Sequence, residues 1–219
     1  MNLMCLSYIF IMASTGRHYH SNSIINYSRY LEQVVIGNIL GDAWMERKSA
    51  NSNARLRYQQ TSPKHDERFY YTWLFYAMYC NGCSTLITRL DRRSNTTRYV
   101  NMFSTRAMPF FTFYYELFYV KGIKTIPANI SDYLTEVSLA FWIMDDGHLN
   151  GGLALNTQGF TLDGVNLLVN ALNLNFGLHS YMRYEDKLPV IYVPKADLAH
   201  LKTLVFPHMH PSTYYKLGG

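Results

Sequence analysis

Val35-Ile36-Gly37-Asn38-Ile39-Leu40-Gly41-Asp42-Ala43 and Leu139-Ala140-Phe141-Trp142-Ile143-Met144-Asp145-Asp146-Gly147 are two versions of one pattern. Each is an apolar, helix-compatible run that closes on an acidic residue followed by Ala or Gly. Asp42 and Asp146 lie 104 residues apart, close to half of the 219-residue chain. A repeat of that size implies two similar units around a pseudo-two-fold axis, one chain imitating a symmetric dimer.

Gly37 and Gly41 are four residues apart, so they share one helix face and permit a very close helix–helix approach. If the two motif helices pack on each other, the Asp42 and Asp146 carboxylates arrive side by side at the same end of the interface. That end carries the negative pole of both helix dipoles, so two acids there are electrostatically unfavourable. A divalent cation reverses the penalty. One such acid alone reads as an ordinary residue of a C-terminal turn; a matched pair points to a metal site. Asp145 occupies the place of Gly41 in the second motif and is read as an interface residue or one that supports the ligands from behind, not as the ligand.

The flanks of the two motifs also correspond. Ala54 to Gln60 has the period-2 pattern of a strand, with Arg55, Arg57 and Gln59 on one face. An aromatic helical stretch follows from His65 to Cys80. Thr85–Arg93 and Thr96–Ser104 read as a hairpin turning at Ser94-Asn95, and a helix runs from Pro109 to Val120. After the second motif come a strand from Gly152 to Gln158 and a helix from Leu162 to Phe176 with Thr161 at its start. A hairpin from Tyr181 to Pro194 and a helix from Ala196 to Phe206 complete the series. Each half therefore reads helix, strand, helix, hairpin, helix, with room for a second strand after the first motif.

The chain is 48% hydrophobic and 16% charged, enough apolar material for a core and too little charge for disorder. Net charge is +5, unevenly placed. Residues 1–130 carry 15 Lys and Arg against 7 Asp and Glu, whereas residues 131–219 carry 5 against 8. Arg47, Lys48, Arg55, Arg57, Lys64, Arg68, Arg89, Arg92, Arg93 and Arg98 cluster in the first half, as in a nucleic-acid binder or on a solvated basic face. Three cysteines do not make a disulfide scaffold, and Cys80 and Cys83 have the spacing of half a zinc site without a second pair. No apolar run is long enough to span a bilayer as a helix, so stable membrane insertion is not expected. Residues 1–31 hold no acidic residue; they read as an organellar transit segment or as a plain N-terminal extension.

At this point the two motifs resemble those of the LAGLIDADG homing endonucleases. Lys124-Thr125-Ile126-Pro127, Tyr133-Leu134-Thr135, Ser138 to Trp142, Leu155 to Thr161 and Tyr215-Lys216-Leu217 extend the likeness to single-chain mitochondrial intron enzymes related to the yeast omega endonuclease. The resemblance covers about residues 33–217. It implies an α+β fold of two pseudo-symmetric αββαββα repeats, with the motif helices at their interface and saddle-shaped antiparallel sheets along DNA. It divides the chain into an extension (1–31), a first repeat (32–124) and a second repeat (125–219).

The same resemblance implies a monomeric, metal-dependent enzyme that cuts double-stranded DNA at a long asymmetric site and leaves short 3′ overhangs. Asp42 and Asp146 become the ligands of Mg²⁺ or another divalent cation, and Lys124 and Lys216 the basic catalytic residues beside them. Bridging metal polarises the phosphate, activates water and stabilises the leaving oxygen. Sequence readout and backbone contact fall to Arg47, Lys48, Arg55, Arg57, Gln59, Arg89, Arg92, Arg93 and Arg98, with Asn156, Gln158, Arg183 and Lys187 as second-half counterparts. The setting implied is a mitochondrion or another organelle. Ala43 departs from the usual glycine, which is expected to shift the turn slightly, and Lys216 is expected near a frayed end. Two other readings stand beside this one: an RNA maturase of the same fold acting on its host group I intron, and a binding protein without catalysis.

Overall fold

The computed structural model describes residues 21–91 and 95–219. Arg92, Arg93 and Ser94 lie outside the described residues, as does most of the segment 1–31. The first repeat runs α1 (Ser21–Leu40), β1 (Trp44–Arg47), β2 (Ala54–Ser62), α2 (Asp66–Tyr76), β3 (Thr85–Asp91), β4 (Thr96–Ser104) and α3 (Pro109–Phe118). A short hairpin, β5 (Tyr119–Val120) and β6 (Ile123–Lys124), follows. The second repeat runs α4 (Glu136–Asp146), β7 (Gly147–Asn150), β8 (Gly152–Asn156), α5 (Leu162–Phe176), β9 (Tyr181–Glu185), β10 (Leu188–Val193) and α6 (Leu198–Val205). The sheets have the same antiparallel order, β1-β2-β4-β3 and β7-β8-β10-β9. The αββαββα repeat is therefore present twice.

Each motif is followed by a pair of strands, as the αββαββα repeat implies, where the residue pattern alone showed one and left room for a second only after the first motif. β1 and β7 are each four residues long, too short for alternation to show. They are strands because they hydrogen-bond to β2 and β8, with Trp44 opposite Arg57 and His148 opposite Ala154.

α1 and α4 pack at the centre. Gly37 meets the Ser138 carbonyl and the Phe141 side chain, and a Cβ added to it would stand 2.7 Å from Phe141 Cβ. Gly41 meets Asp145, 2.7 Å from its Oδ2 on the same construction. Each glycine thus faces a large side chain of the other helix. α4 is buried on every side from Val137 to Asp145, as expected of a helix at the middle of a fold. Its start is fixed by a capping box: Ser138 N–H donates to Thr135 Oγ1 at 3.3 Å and Thr135 N–H to Ser138 Oγ at 2.7 Å. A serine serves here, where longer Glu or Gln is usual, because Ser138 is buried against α1.

One core joins the repeats, with Leu31, Val35 and Ile39 of α1 and Phe141, Trp142 and Ile143 of α4 all fully buried. Each such side chain contributes about 1.5–3 kcal/mol. Ala43 is buried at the turn after α1. Its counterpart Gly147 has an ordinary φ of −74°, so glycine is required there by space, beneath Ile143, and not by backbone conformation. Among the described residues no helix is long and apolar enough to cross a membrane.

Gly37→Ala is expected to lower the unfolding free energy by about 1–3 kcal/mol, because its Cβ would press on α4 backbone. Gly159→Ala, with no atom within 4 Å of its added Cβ, is expected to change it by less than ~0.5 kcal/mol. Urea denaturation followed by circular dichroism measures both; equal effects would contradict the close-packed interface.

Candidate active site and nucleic-acid interface

The helix interface ends where Asp42 and Asp146 emerge. Asp42 lies just past α1, in a turn held by Gly41 N–H to the Gly37 carbonyl at 3.1 Å and Ala43 N–H to the Asn38 carbonyl at 2.8 Å. Asp146 is the last residue of α4 and is half-buried. Burial, then Asp42 and Asp145, push its carboxyl up to about 7. The two motif acids therefore share one electrostatic environment, as the helix-packing argument required.

Two lysines reach this point from the ends of the repeats. Lys124 is carried by the β5–β6 hairpin, whose two-residue turn Lys121-Gly122 has positive φ at both positions (51° and 79°), the type I′ geometry that suits strand twist. Its Nζ donates to the Ala43 and Gly41 carbonyls at 3.3 and 3.4 Å. Lys216 lies in a 3₁₀ segment, Pro211–Leu217, and its Nζ donates to the Asp145 carbonyl at 3.0 Å. The frayed end expected for it is absent: Lys216 and Leu217 are buried, and Gly218 N–H closes the segment onto Tyr214 and Tyr215. Since Gly41 and Asp145 hold equivalent places in the motifs, the lysines reproduce the pseudo-two-fold axis. Burial lowers each ammonium to about 8, opposed by the carboxylates and, for Lys216, aided by Arg68. Both stay positive at neutral pH and sit at the negative ends of the helices.

A third cation, counted in the sequence only as one of the basic cluster of a nucleic-acid footprint or solvated face, is instead buried in the site. Arg68, on α2, is buried beneath the site and donates to the Met144 carbonyl, the Asp145 carbonyl (3.1 Å), Gln60 Oε1 and Asp42 Oδ2 (3.4 Å). Gln60 in turn donates to Asp42 Oδ2 at 2.6 Å and to the Tyr58 hydroxyl at 3.0 Å. A signal for Arg68 did exist. It falls on the stripe 68, 72, 76 that α2 buries, and a guanidinium on a core face needs partners. Gln60 shares the helix-facing side of β2 with Tyr58, which its alternation also indicated.

Among the described residues no three His, Cys, Asp or Glu side chains converge. A cation here would be held by two carboxylates with water and a substrate phosphate, the habit of Mg²⁺. The fit rests on the donor set: hard carboxylate oxygens of Asp42 and Asp146 at one end of the paired helices, where burial and then the neighbouring carboxylates disfavour the charged form of Asp146. The Cys80 thiol, pushed up to about 11 by burial, is unlike a thiolate metal ligand.

The residues assigned to DNA contact lie mainly on the helix-free face of each sheet. Arg55 and Arg57 both hold Glu46: Arg55 Nη2 at 2.7 Å and Nε at 3.0 Å from Oε2, Arg57 Nη1 at 2.7 Å from Oε1. Burial works against its ionisation, but bonds from Arg57, Arg55 and Trp44 prevail and hold the Glu46 carboxyl at about 2. Gln59 shares this face of β2, and Arg89 and Arg98 stand directly opposite each other on β3 and β4, both exposed. Arg47 braces the β1–β2 loop through the Ser52 and Ala50 carbonyls and Glu116, and Lys48 is exposed on that loop. In the second repeat Glu185 takes the part of Glu46, accepting from Arg183 and Asn150 and pairing with His148 at 3.3 Å. Arg183 also stacks 3.8 Å from the Tyr192 ring centre. Asn156 is half-buried on β8, Gln158 is exposed beyond its end, and Lys187 is exposed at the tip of the β9–β10 turn.

A doubled αββαββα chain with paired acids at the foot of a shared helix interface belongs to the two-motif, single-chain class of nucleic-acid enzymes. Residues 32–201 match the LAGLIDADG DNA endonuclease family, and the chain is a member of that family. It is 31% identical over 200 residues to a probable intron-encoded endonuclease 1 of Wickerhamomyces canadensis, covering 87% of this chain and 84% of that one. It is 30% identical to a cytochrome b mRNA maturase, bI2, of Saccharomyces cerevisiae, covering 96% of this chain and 52% of the longer relative. The solved structure of the homing endonuclease I-WcaI bound to its DNA recognition sequence superposes with a TM-score of 0.78 and 28% identity, covering 93% of this chain and 95% of the other.

Glu46 holds two arginines that are candidates for contact with DNA. Glu46→Gln is expected to tighten non-specific duplex binding several-fold at low salt and to steepen the slope of log K against log salt by about 1 to 2. Fluorescence anisotropy across a salt series reads both, and an unchanged slope would mean that the arginines do not transfer to phosphate.

Proposed function

We propose that this chain is a site-specific, intron-homing endonuclease that acts as a monomer on a long asymmetric duplex target and leaves short 3′ overhangs. What supports this reading is that Asp42 and Asp146, one from each repeat, stand at the same end of the paired helices and act on each other electrostatically, with Lys124 and Lys216 bonded to the adjoining carbonyls. Residues 32–124 and 125–219 would each engage one half of the target. The intron-encoded character of its relatives supports a mitochondrial or other organellar setting.

In this reading Asp42 and Asp146 hold Mg²⁺ or a similar divalent cation. When bound, such an ion polarises a phosphoryl oxygen and lowers the pKa of water. The chain's own residues supply the rest. Lys124 and Lys216, positive at neutral pH, stand where charge develops on the phosphate and stabilise it. Gln60 and Arg68 keep the Asp42 carboxylate turned to one side. Arg55, Arg57, Arg89, Arg98 and Arg183, with Gln59, Asn156 and Gln158, offer base-edge and phosphate contacts from the sheets, and Arg47, Lys48 and Lys187 add positive charge at the adjoining loops. The first repeat, the more basic, holds DNA more tightly and with more salt sensitivity than the second.

The likeness to the cytochrome b mRNA maturase supports a second reading, assistance to splicing of the host intron RNA, in which the same fold binds without needing to cut. One experiment separates the two. Cleaved targets are recovered from a plasmid library in Mg²⁺, and the chain is compared with Asp42→Asn and Asp146→Asn. The expected result is metal-dependent double-strand cutting that falls at least about 10³-fold in either variant, with duplex affinity retained. No cutting by the native chain, together with stimulation of splicing, would favour the maturase.

A further inference from the structure

Asp145 replaces the small residue expected at its place in the helix interface, and its carboxylate is buried against Gly41 of the other motif helix. It is fully partnered. Oδ1 accepts from the Tyr58 hydroxyl at 2.6 Å; Oδ2 accepts from Asn38 Nδ2 at 3.0 Å and from the Asp42 backbone N–H at 3.3 Å. Arg68 Nη1 stands 3.8 Å from Oδ1. Asn38 is fixed in turn by the buried Tyr76 hydroxyl at 3.1 Å. The Tyr58 hydroxyl passes the chain on, because it accepts from Gln60, which also donates to Asp42 Oδ2. A closed circuit results: Asp145 to Tyr58, Tyr58 to Gln60, Gln60 to the Asp42 carboxylate, and the Asp42 amide back to Asp145.

The second repeat has no such circuit. Matching the motifs and strand registers, Gly41 takes the place of Asp145, Leu155 that of Tyr58, and Thr157 that of Gln60. Matching the starts of α2 and α5 puts Gly164 in the place of Arg68 and Leu172 in that of Tyr76. Thr157 spends its hydroxyl on the Pro189 carbonyl at 2.8 Å, and Gly164 packs against Ile126. Among the described residues no side chain donates a hydrogen bond to the Asp146 carboxylate. The pseudo-symmetry that holds for the backbone, the motif acids and the lysines therefore fails for the groups that orient the acids.

We infer that Tyr58 and Asp145 are positioning residues whose hydrogen bonds, through Gln60 to the Asp42 carboxylate and directly to the Asp42 amide, orient Asp42 and have no counterpart at Asp146, so that this chain has two unequal half-sites and cuts the two DNA strands in succession. The braced carboxylate is already oriented and leaves less reorganisation for the reaction, so the strand it serves is cut first. This rests on the endonuclease reading, and the experiment keeps the two apart.

The test is strand-resolved cleavage in Mg²⁺ of a supercoiled plasmid carrying the selected target, with the 5′ end of each strand labelled separately in a linear duplicate. The native chain is expected to accumulate nicked circles broken in one preferred strand. Tyr58→Phe, which keeps the buried ring and removes only the hydroxyl, is expected to slow that strand about tenfold and change the other by less than twofold. The second strand is the internal control for folding, since a partly unfolded variant loses both rates together. Equal rates on the two strands for the native chain, or a parallel fall of both in Tyr58→Phe, would overturn the inference. A native chain that cuts neither strand would remove the endonuclease reading itself, and this inference with it.

Discussion

The close approach of α1 and α4 is the constraint on which the remainder depends. Gly37 and Gly41 leave no side chain between the helices at two points, and Phe141 and Asp145 fill the space from the other side. Bringing two helices so near, with their C-terminal ends together, places Asp42 and Asp146 within electrostatic reach and stacks two negative dipole ends. Such an arrangement is unfavourable unless cations answer it. Arg68, Lys124 and Lys216 do so, each bonded to main-chain carbonyls at the helix ends. The cluster is thus a structural solution to the packing and, at the same time, a set of charges suited to a phosphate.

How far the sequence disclosed this depends on the range of the interaction. The motif pair, with acids 104 residues apart, was readable because a repeat is a pattern along the chain. The glycine face was readable from its four-residue spacing. β1 and β7 came from family resemblance and not from their own residue pattern, because strands of four residues are held by their hydrogen bonds to β2 and β8. The bracing of Asp42 by Gln60 and Arg68 was not readable, although Arg68 on the buried stripe of α2 could have been flagged as a charge in need of partners. Lys124 and Lys216 entered only through family resemblance, since nothing local to either residue announces where its Nζ will end.

The sheets show the same division between local and long-range information. Alternation in Ala54–Gln60 placed Arg55, Arg57 and Gln59 on one face correctly. It said nothing of Glu46, which holds both arginines from the neighbouring strand, nor of Glu185 doing the same for Arg183 and Asn150. Each sheet face thus carries an internal acid that pairs with its arginines. Because Arg55 and Glu46 are each roughly one-third exposed, water screens the pair and its contribution to stability is small. Under the proposed function its consequence is for recognition, where the carboxylate would compete with phosphate for the same donors.

The central claim is that one carboxylate from each repeat shares the binding of divalent metal at the scissile DNA. Anomalous scattering from Mn²⁺ in crystals of the chain with its cut-site duplex addresses it most directly. The account predicts Mn²⁺ density in contact with both Asp42 and Asp146 and with a phosphate oxygen of the target, and loss of that density in the Asp146→Asn variant. Density at other residues alone, or metal bound by only one of the two acids with the DNA in place, would contradict it.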